Sequence, residues 1–554
     1  MKVKVYEAMA NAFIKEGTTT LFGLLGDGQM TWWSAMAKYP GLNIVDVRDE
    51  GAAVTMAEGW AMATGRIGVC SSTQGPGLAR MTTALIVATR SRTPIVVYTS
   101  KTSLNNEHVV QYLNQDQLVT ATGAGYIEVL RPSYAEDAVR DAFYRARLES
   151  RPIVLCAPLD VQRMDCDADG EDYRPSSSLF PGQQAIRPDV ERLREAAGII
   201  KQSRKPVVVL GRGAMSPAAK TAANRLAERI GALVATTLVA KGTLAESEYY
   251  AGVSGLFSSR EVLQLFDEAD CVIAVGARLS THTLAGGYLY GKARFIHIDI
   301  APHMIMGNDR GADCYIQGDA AATLQELIGL LEQDGAGGRG YRTAEVRRIL
   351  SNAGRDPAEF EIEPGTVDPR EAVQLLDEKL PPEINLVSSG NAHACSFRVM
   401  LMKRRRGLQI FCTAFGCIGQ ALATGVGAAL GAGGPLVCVE GDGSALQNIQ
   451  ELDTVARLGL KFLYVVVNDE AYGAEYHKLR AHERDPNLSF VRSPDFAGLG
   501  RDFGCRGRSA RTLEELSAAI DEFLAGNGPM VVDLRISRNV VSIPYRRLHF
   551  GMDV

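Results

Sequence analysis

Short runs rich in valine and isoleucine recur along the chain, separated by longer, alanine-rich stretches with helical spacing. LNIVDV, IGVCSST, TPIVVYTS and PIVLCAPLDV form a first group, and PVVVLG, ALVATT, CVIAVG and FIHIDI a second. INLVSS, PLVCVEGD, KFLYVVVND and MVVDLRI form a third. Near-continuous apolar strands alternating with helices specify parallel sheets covered on both faces. The expected fold class is therefore α/β, with three doubly wound parallel-sheet domains. A length of 554 residues is too great for one core and agrees with that division.

The polar passage DCDADGEDYRPSSSLFPGQQ (165–184) reads as a linker, and EQDGAGGRG (332–340) and the acidic DPAEFEIEPGTVDP (356–369) separate the later blocks. The expected domains are 1–170, 185–335 and 366–554, the first and third sharing a rhythm that hints at duplication. With 59 basic against 64 acidic residues, the net charge of −5 gives no reason to expect a nucleic-acid or membrane partner. Ten cysteines stand singly without C-x-x-C spacing, which implies a reducing, cytoplasmic setting and no structural zinc. MKVKVYEAMANAF has the pattern of an amphipathic helix and lacks that of a signal peptide. No charge occurs between Arg406 and Glu440, but the glycine, alanine and Gln420 there favour a tightly packed small-residue helix over a membrane span.

In open parallel sheets, ligands sit beyond the carboxyl ends of strands. Asp442 follows LVCVEG, Asp469 follows LYVVVN, Glu50 follows IVDVRD, and Thr73–Pro76 follow GVCSS. In VEGDGSALQ, Gly441 and Gly443 let the backbone approach a ligand. The helix expected over SALQNIQELDTVARL would offer amides to a phosphate, with Ser444 as a further donor. Asp442 would repel that phosphate unless a cation lay between them, and Mg²⁺ bridges carboxylates to phosphates in this way. A bare N-cap is the simpler role for an aspartate before a helix.

G-D-G-S, a helix, an apolar strand and N-D-x-A-Y-G resemble the diphosphate and Mg²⁺ motif of thiamine-diphosphate (ThDP) enzymes, including its spacing of 27 positions from Asp442 to Asp469. The resemblance implies Asp442, Asp469 and the Ala471 carbonyl as metal ligands, with Asp469 standing where most members carry asparagine. RDEGAAVTMAEGWAMATGRIGV resembles the pyrimidine-binding domain, with Glu50 at its glutamate, and SSTQGPGLA the adjoining Gly-Pro-Gly loop, with Thr73 and Gly75. AFGCIGQAL resembles the segment that props the thiazolium, through Gly416 and Ile418. Gly390, Asn391 and Tyr472 complete the expected cofactor-binding set. The order of segments is similar to that of the acetolactate synthase, pyruvate oxidase and benzaldehyde lyase group.

By this resemblance Glu50 activates the aminopyrimidine and Ile418 bends the cofactor. Glu475, six positions beyond Asp469, is the candidate for proton transfer, and His477 resembles a histidine of the benzaldehyde-lyase type, or else lies on a helix surface. From HVVQYLNQDQ, Gln111, Asn114 or Gln115 would face the cofactor, with Gln111 placed first. GLLGDGQM offers Asp27, Gly28 and Gln29 in place of an early histidine of some relatives, and Tyr112-Leu113-Asn114 replaces the Phe-Gln-Glu of true acetolactate synthases. A tryptophan expected beyond the metal site in those synthases is also missing.

GRGA, TTLVAKG, GARLS and HIDI resemble an FAD-binding middle domain. FAD or ADP is allowed there but not favoured, because GARLSTHT lacks the second basic residue and a lone G-R-G is weak. The expected activity is decarboxylation of a 2-oxo acid followed by carboligation, of the acetolactate-synthase kind. The alternatives are a 2-hydroxy-ketone or 2-hydroxyacyl lyase acting on an aldehyde or ketone, and a non-catalytic ThDP-fold binding module. An NAD dehydrogenase would need a G-x-G-x-x-G after a strand, which the chain lacks. The resemblance also implies a homo-oligomer, at least a dimer, with each site between subunits.

Overall fold

A computed structural model of the chain describes residues 2–552 except 105, 107, 181, 183, 306–309, 334–339, 354–355, 390–395 and 399–406. Its three large sheets each have six strands, all parallel. In the first, the spatial order is Asn43–Asp46, Thr20–Gly23, Gly68–Ser72, Ile95–Lys101, Pro152–Pro158, Gly125–Glu128. In the third it is Gln409–Cys412, Asn385–Ser389, Leu436–Gly441, Phe462–Asn468, Met530–Arg535, Arg506–Ala510. Numbered along the chain, both read 2-1-3-4-6-5, so the shared rhythm of the first and third blocks reflects a shared topology.

The middle sheet runs Tyr250–Val253, Leu233–Thr236, Pro206–Leu210, Cys271–Val275, Arg294–Asp299, Cys314–Gln317. That order, 3-2-1-4-5-6, is the doubly wound arrangement of dinucleotide-binding sheets.

The charge-free stretch contains the helix Ala421–Ala432, packed lengthwise on the helix Glu50–Thr64 of the first domain. Small residues make this possible. A Cβ on Gly427 would collide with the Met56 carbonyl oxygen, and one on Gly59 with that of Thr424. The pairing runs parallel, from Thr55 beside Gln420 to Ala63 beside Gly431. Both helices therefore start at the same end, where Glu50 and the segment before Ala421 lie. Among the described residues, no helix is long and apolar enough to cross a membrane.

Two expectations need correction. The segment read as a linker is partly built into the first domain: Asp165–Asp167 pairs antiparallel with Lys2–Lys4. Glu16 also accepts hydrogen bonds from Tyr173 and from the amide and hydroxyl of Ser176. Its polar side chains satisfy a carboxylate, which composition alone cannot distinguish from solvation. The single helix expected over 444–458 is broken at Asn448 (φ −136°) into Asp442–Asn448, a 3₁₀ turn and Leu452–Arg457.

Candidate cofactor site

Strands Leu436–Gly441 and Phe462–Asn468 are register neighbours, Gly441 opposite Val467, so the residues that follow them emerge side by side. Asp442 and Asp469 are both buried, at 2% and 9% exposure. Asp442 accepts from its neighbour Gly443 N (2.8 Å) through Oδ1 and from Ser493 Oγ (2.6 Å) through Oδ2. Asp469 Oδ1 accepts from Ala471 N at 3.2 Å. Burial pushes the Asp442 carboxyl up to about 6. Asp469 is raised well above the ordinary range, first by burial and then by the charge of Asp442. Two buried carboxylates near enough to feel each other's charge are suited chemically to share a cation.

The backbone between them is unusual. Glu470 holds φ +53°, a left-handed conformation uncommon for a residue with a side chain; its amide donates to Asn468 Oδ1 (3.2 Å) and its carbonyl accepts from Val491 N (2.9 Å). The Tyr472 ring, half exposed, lies over Gly443, where any Cβ would approach it at 2.7 Å. Ser444 departs from the expected role of outward donor. Its hydroxyl donates to Glu440 Oε1 (2.5 Å) and accepts from Gly419 N (2.7 Å). Glu440, also buried, further accepts from Tyr464 and the amides of Ala421 and Leu422, which ties the Asp442 turn to the start of the small-residue helix.

Glu50 opens the helix Glu50–Thr64, capped by Asp49, which accepts from Gly51 N and Ala52 N. Its side chain is 13% exposed, 3.4 Å from Arg80 and beside Gly77 of the Gly-Pro-Gly loop. A cavity of about 490 Å³ opens at this shared helix end, between Asp49, Gly51 and Arg80 on one side and Gly416, Ile418 and Gln447 on the other. Ile418 is half-buried and lines that cavity, in contrast to an ordinary core isoleucine. Among the described residues no hydrogen bond or ion pair joins Glu50 to Asp442 or Asp469 within the chain. Gly390 and Asn391 lie outside the described residues.

In the Gly-Pro-Gly loop, Thr73 accepts from Gly28 N (3.2 Å), and Gly75 (φ +62°) donates to Gln115 Oε1 (3.1 Å). Gln115 is buried and also donates to the Ser100 carbonyl, so it braces the loop. Gln111 accepts from Gln74 Nε2 at 2.6 Å, and Gln74 is buried beside Ser100 and Thr73. Asn114 is exposed before the helix Gln115–Ala121.

On the helix Gly473–Ala481, Glu475 is exposed and pairs with Lys478 at 3.3 Å. His477 is fully buried, between the rings of Tyr476 and Tyr545, which corrects the surface-histidine alternative. The residues that sequence reading missed are Ser493, Glu440 and Gln74. Only Glu440 carried a signal, an acid inside an apolar strand.

In the central domain, the turn at Gly211–Gly213 packs directly on Gly276. Arg212 reaches out of it to the backbone carbonyls of Ser91 and Arg90 in the first domain. The G-R-G arginine thus serves domain docking.

Comparison with known proteins covers all three domains. The N-terminal TPP binding domain of thiamine pyrophosphate enzymes matches residues 3–122, their central domain 193–327 and their C-terminal TPP binding domain 388–534. The chain is 27% identical to the probable acetolactate synthase large subunit of Methanocaldococcus jannaschii, over 96% of this chain and 92% of that protein. It is 28% identical to the acetolactate synthase large subunit of Parasynechococcus marenigrum (96% and 87%). For that of Haemophilus influenzae the identity is 24% (97% and 95%).

Proposed function

The chain belongs to the thiamine pyrophosphate enzymes, and on that premise we propose that it is an acetolactate-synthase-like carboligase acting on a 2-oxo acid with ThDP and Mg²⁺. The observation that carries this reading is the buried pair Asp442 and Asp469 at adjacent strand ends. A divalent ion with oxygen ligands offsets both their burial and their repulsion, and it turns a phosphate-repelling site into a phosphate-binding one. Asp442, Asp469 and the Ala471 carbonyl would hold it.

When bound, ThDP supplies the nucleophilic carbon and the electron sink. Glu50 would hold the pyrimidine end through a hydrogen bond, its carboxylate kept in place by Arg80 and its own helix. Ile418 would press on the ring from the cavity wall. Glu475, on the exposed helix face, would exchange a proton with substrate, and Gln111, steadied by Gln74, would position it. His477, enclosed by Tyr476 and Tyr545, would support that helix from beneath. By the family resemblance, the working unit would be a homo-oligomer in which Glu50 of one copy and the aspartate pair of another meet at each site. The nine described cysteines stand outside disulfides, as suits the cytoplasm.

Calorimetric titration with ThDP in the presence of Mg²⁺ tests the site. Wild type should bind saturably and Asp442→Ala should bind nothing. Wild-type affinity in that variant would overturn the metal assignment. The bound enzyme should then convert pyruvate to acetolactate; turnover of benzoin-like hydroxy ketones alone would move the assignment to the lyases.

A further inference from the structure

Far from the cofactor residues along the sequence, the middle sheet gathers a second group of ligating side chains. His297 and Asp299 lie two positions apart on the strand Arg294–Asp299, hence on one face of it. The following loop brings His303 back to them, and one ligand atom from each of the three lies within 4.8 Å of the others. Asp299 ends the strand at its carboxyl end, where open parallel sheets bind ligands.

His297 is completely buried; the Ala277 backbone lies within weak hydrogen-bonding reach of its ring, and neither ring nitrogen makes a hydrogen bond of good geometry. A buried polar atom without a partner costs about 1–3 kcal/mol, and one weak backbone contact leaves at least one nitrogen of this imidazole in that position. His303 places Nδ1 at 3.2 Å from the Ala301 carbonyl, while its buried Nε2 has no hydrogen-bond partner. This is how metal-binding histidines are usually held, one nitrogen on a carbonyl and the other on the ion. Asp299 Oδ1 accepts from Ala301 N at 3.0 Å, so the same residue steadies two of the three ligands.

We propose that His297, Asp299 and His303 form a binding site for one divalent transition-metal ion of the zinc class. Two imidazoles and a carboxylate select such ions over Mg²⁺ or Ca²⁺, which prefer oxygen throughout. The site is thereby chemically distinct from the Asp442–Asp469 pair. Edges of a tetrahedral zinc site measure about 3.3 Å, so binding draws the His303 loop inward by roughly 1 Å and leaves a fourth position open. The ion would pin the loop to the strand end, a task now left to the edge-on contact of the two imidazoles, whose ring centroids are 4.8 Å apart.

The test uses chelator-stripped protein reloaded with saturating ThDP and Mg²⁺, so that the cofactor site is filled. Co²⁺ is then added as a spectroscopic probe, and Zn²⁺ is titrated against a chromophoric chelator. Wild type should bind one equivalent and develop a visible Co²⁺ band. His303→Ala should bind at least ~10-fold more weakly with ThDP binding unchanged. Asp299→Asn, which keeps the acceptor for the Ala301 amide, should also lose the band. Absence of binding by wild type, or equal binding by both variants, would overturn the site and leave His297 and His303 as packing partners alone. Because ThDP binding is measured in the same samples, failure of the cofactor assignment would be seen separately.

Discussion

Glu58 shows how one residue sets the behaviour of a domain boundary. It sits inside the helix Glu50–Thr64 at 3% exposure, accepts from Thr93 at 3.3 Å, and faces Arg212 of the central domain. Burial dominates and pushes its carboxyl up to about 7, against 4.5 in water. A raised folded-state value means that this group's contribution is fully present below about pH 4.5 and is lost as pH rises through about 7. Glu58→Gln should therefore flatten the pH dependence of stability and, near pH 8, stabilise the protein by on the order of 1–3 kcal/mol. Urea unfolding at several pH values checks this; an unchanged pH slope would mean that the carboxyl is ionised in the fold. The sequence AAVTMAEGW gave no sign of this role, because burial of an acid depends on what packs over it.

At the level of elements, the glycine-lined contact between Glu50–Thr64 and Ala421–Ala432 fixes the first domain against the third. Gly427→Ala would set a Cβ against the Met56 carbonyl, with backbone on both sides and no flexible side chain to yield. A loss of about 3 kcal/mol or more is expected in urea unfolding, with weaker ThDP binding as the cavity at the helix ends shifts. A loss below about 0.5 kcal/mol would show that the helices are not in such close contact. The small-residue character of this helix was readable from its composition, but its partner was not. Strands show the same division. The twelve apolar runs all correspond to strands, whereas Thr20–Gly23, Gly125–Glu128, Tyr250–Val253, Cys314–Gln317, Gln409–Cys412 and Arg506–Ala510 gave no apolar run. All but Thr20–Gly23, a short interior strand, lie at sheet edges. An edge strand has one neighbour and a partly solvated face, so it needs no continuous hydrophobic stretch.

For the whole molecule, the proposed site raises the question of which chain supplies Glu50 to which pair of aspartates. Exposed apolar side chains at Leu104, Val109, Val110 and Tyr112, beside Gln111, mark a surface suited to a second copy. Glu50→Gln and Asp442→Ala, each inactive alone, should regain activity when unfolded and refolded together. Random pairing into dimers would restore about a quarter of the wild-type rate, since half the dimers are mixed and each has one intact site. Sites built within one chain would restore none. The sequence by itself determined the three α/β domains and the position of Asp442 and Asp469 at successive strand ends, because apolar runs are local properties of a chain, whereas the roles expected of that pair and of Glu50 rest on a family resemblance. Only the tertiary structure decided that Ser444 serves Glu440, that His477 is enclosed, and that His297, Asp299 and His303 converge. Those facts depend on which side chains meet across a packed interior, where burial and partners are set by residues remote in sequence.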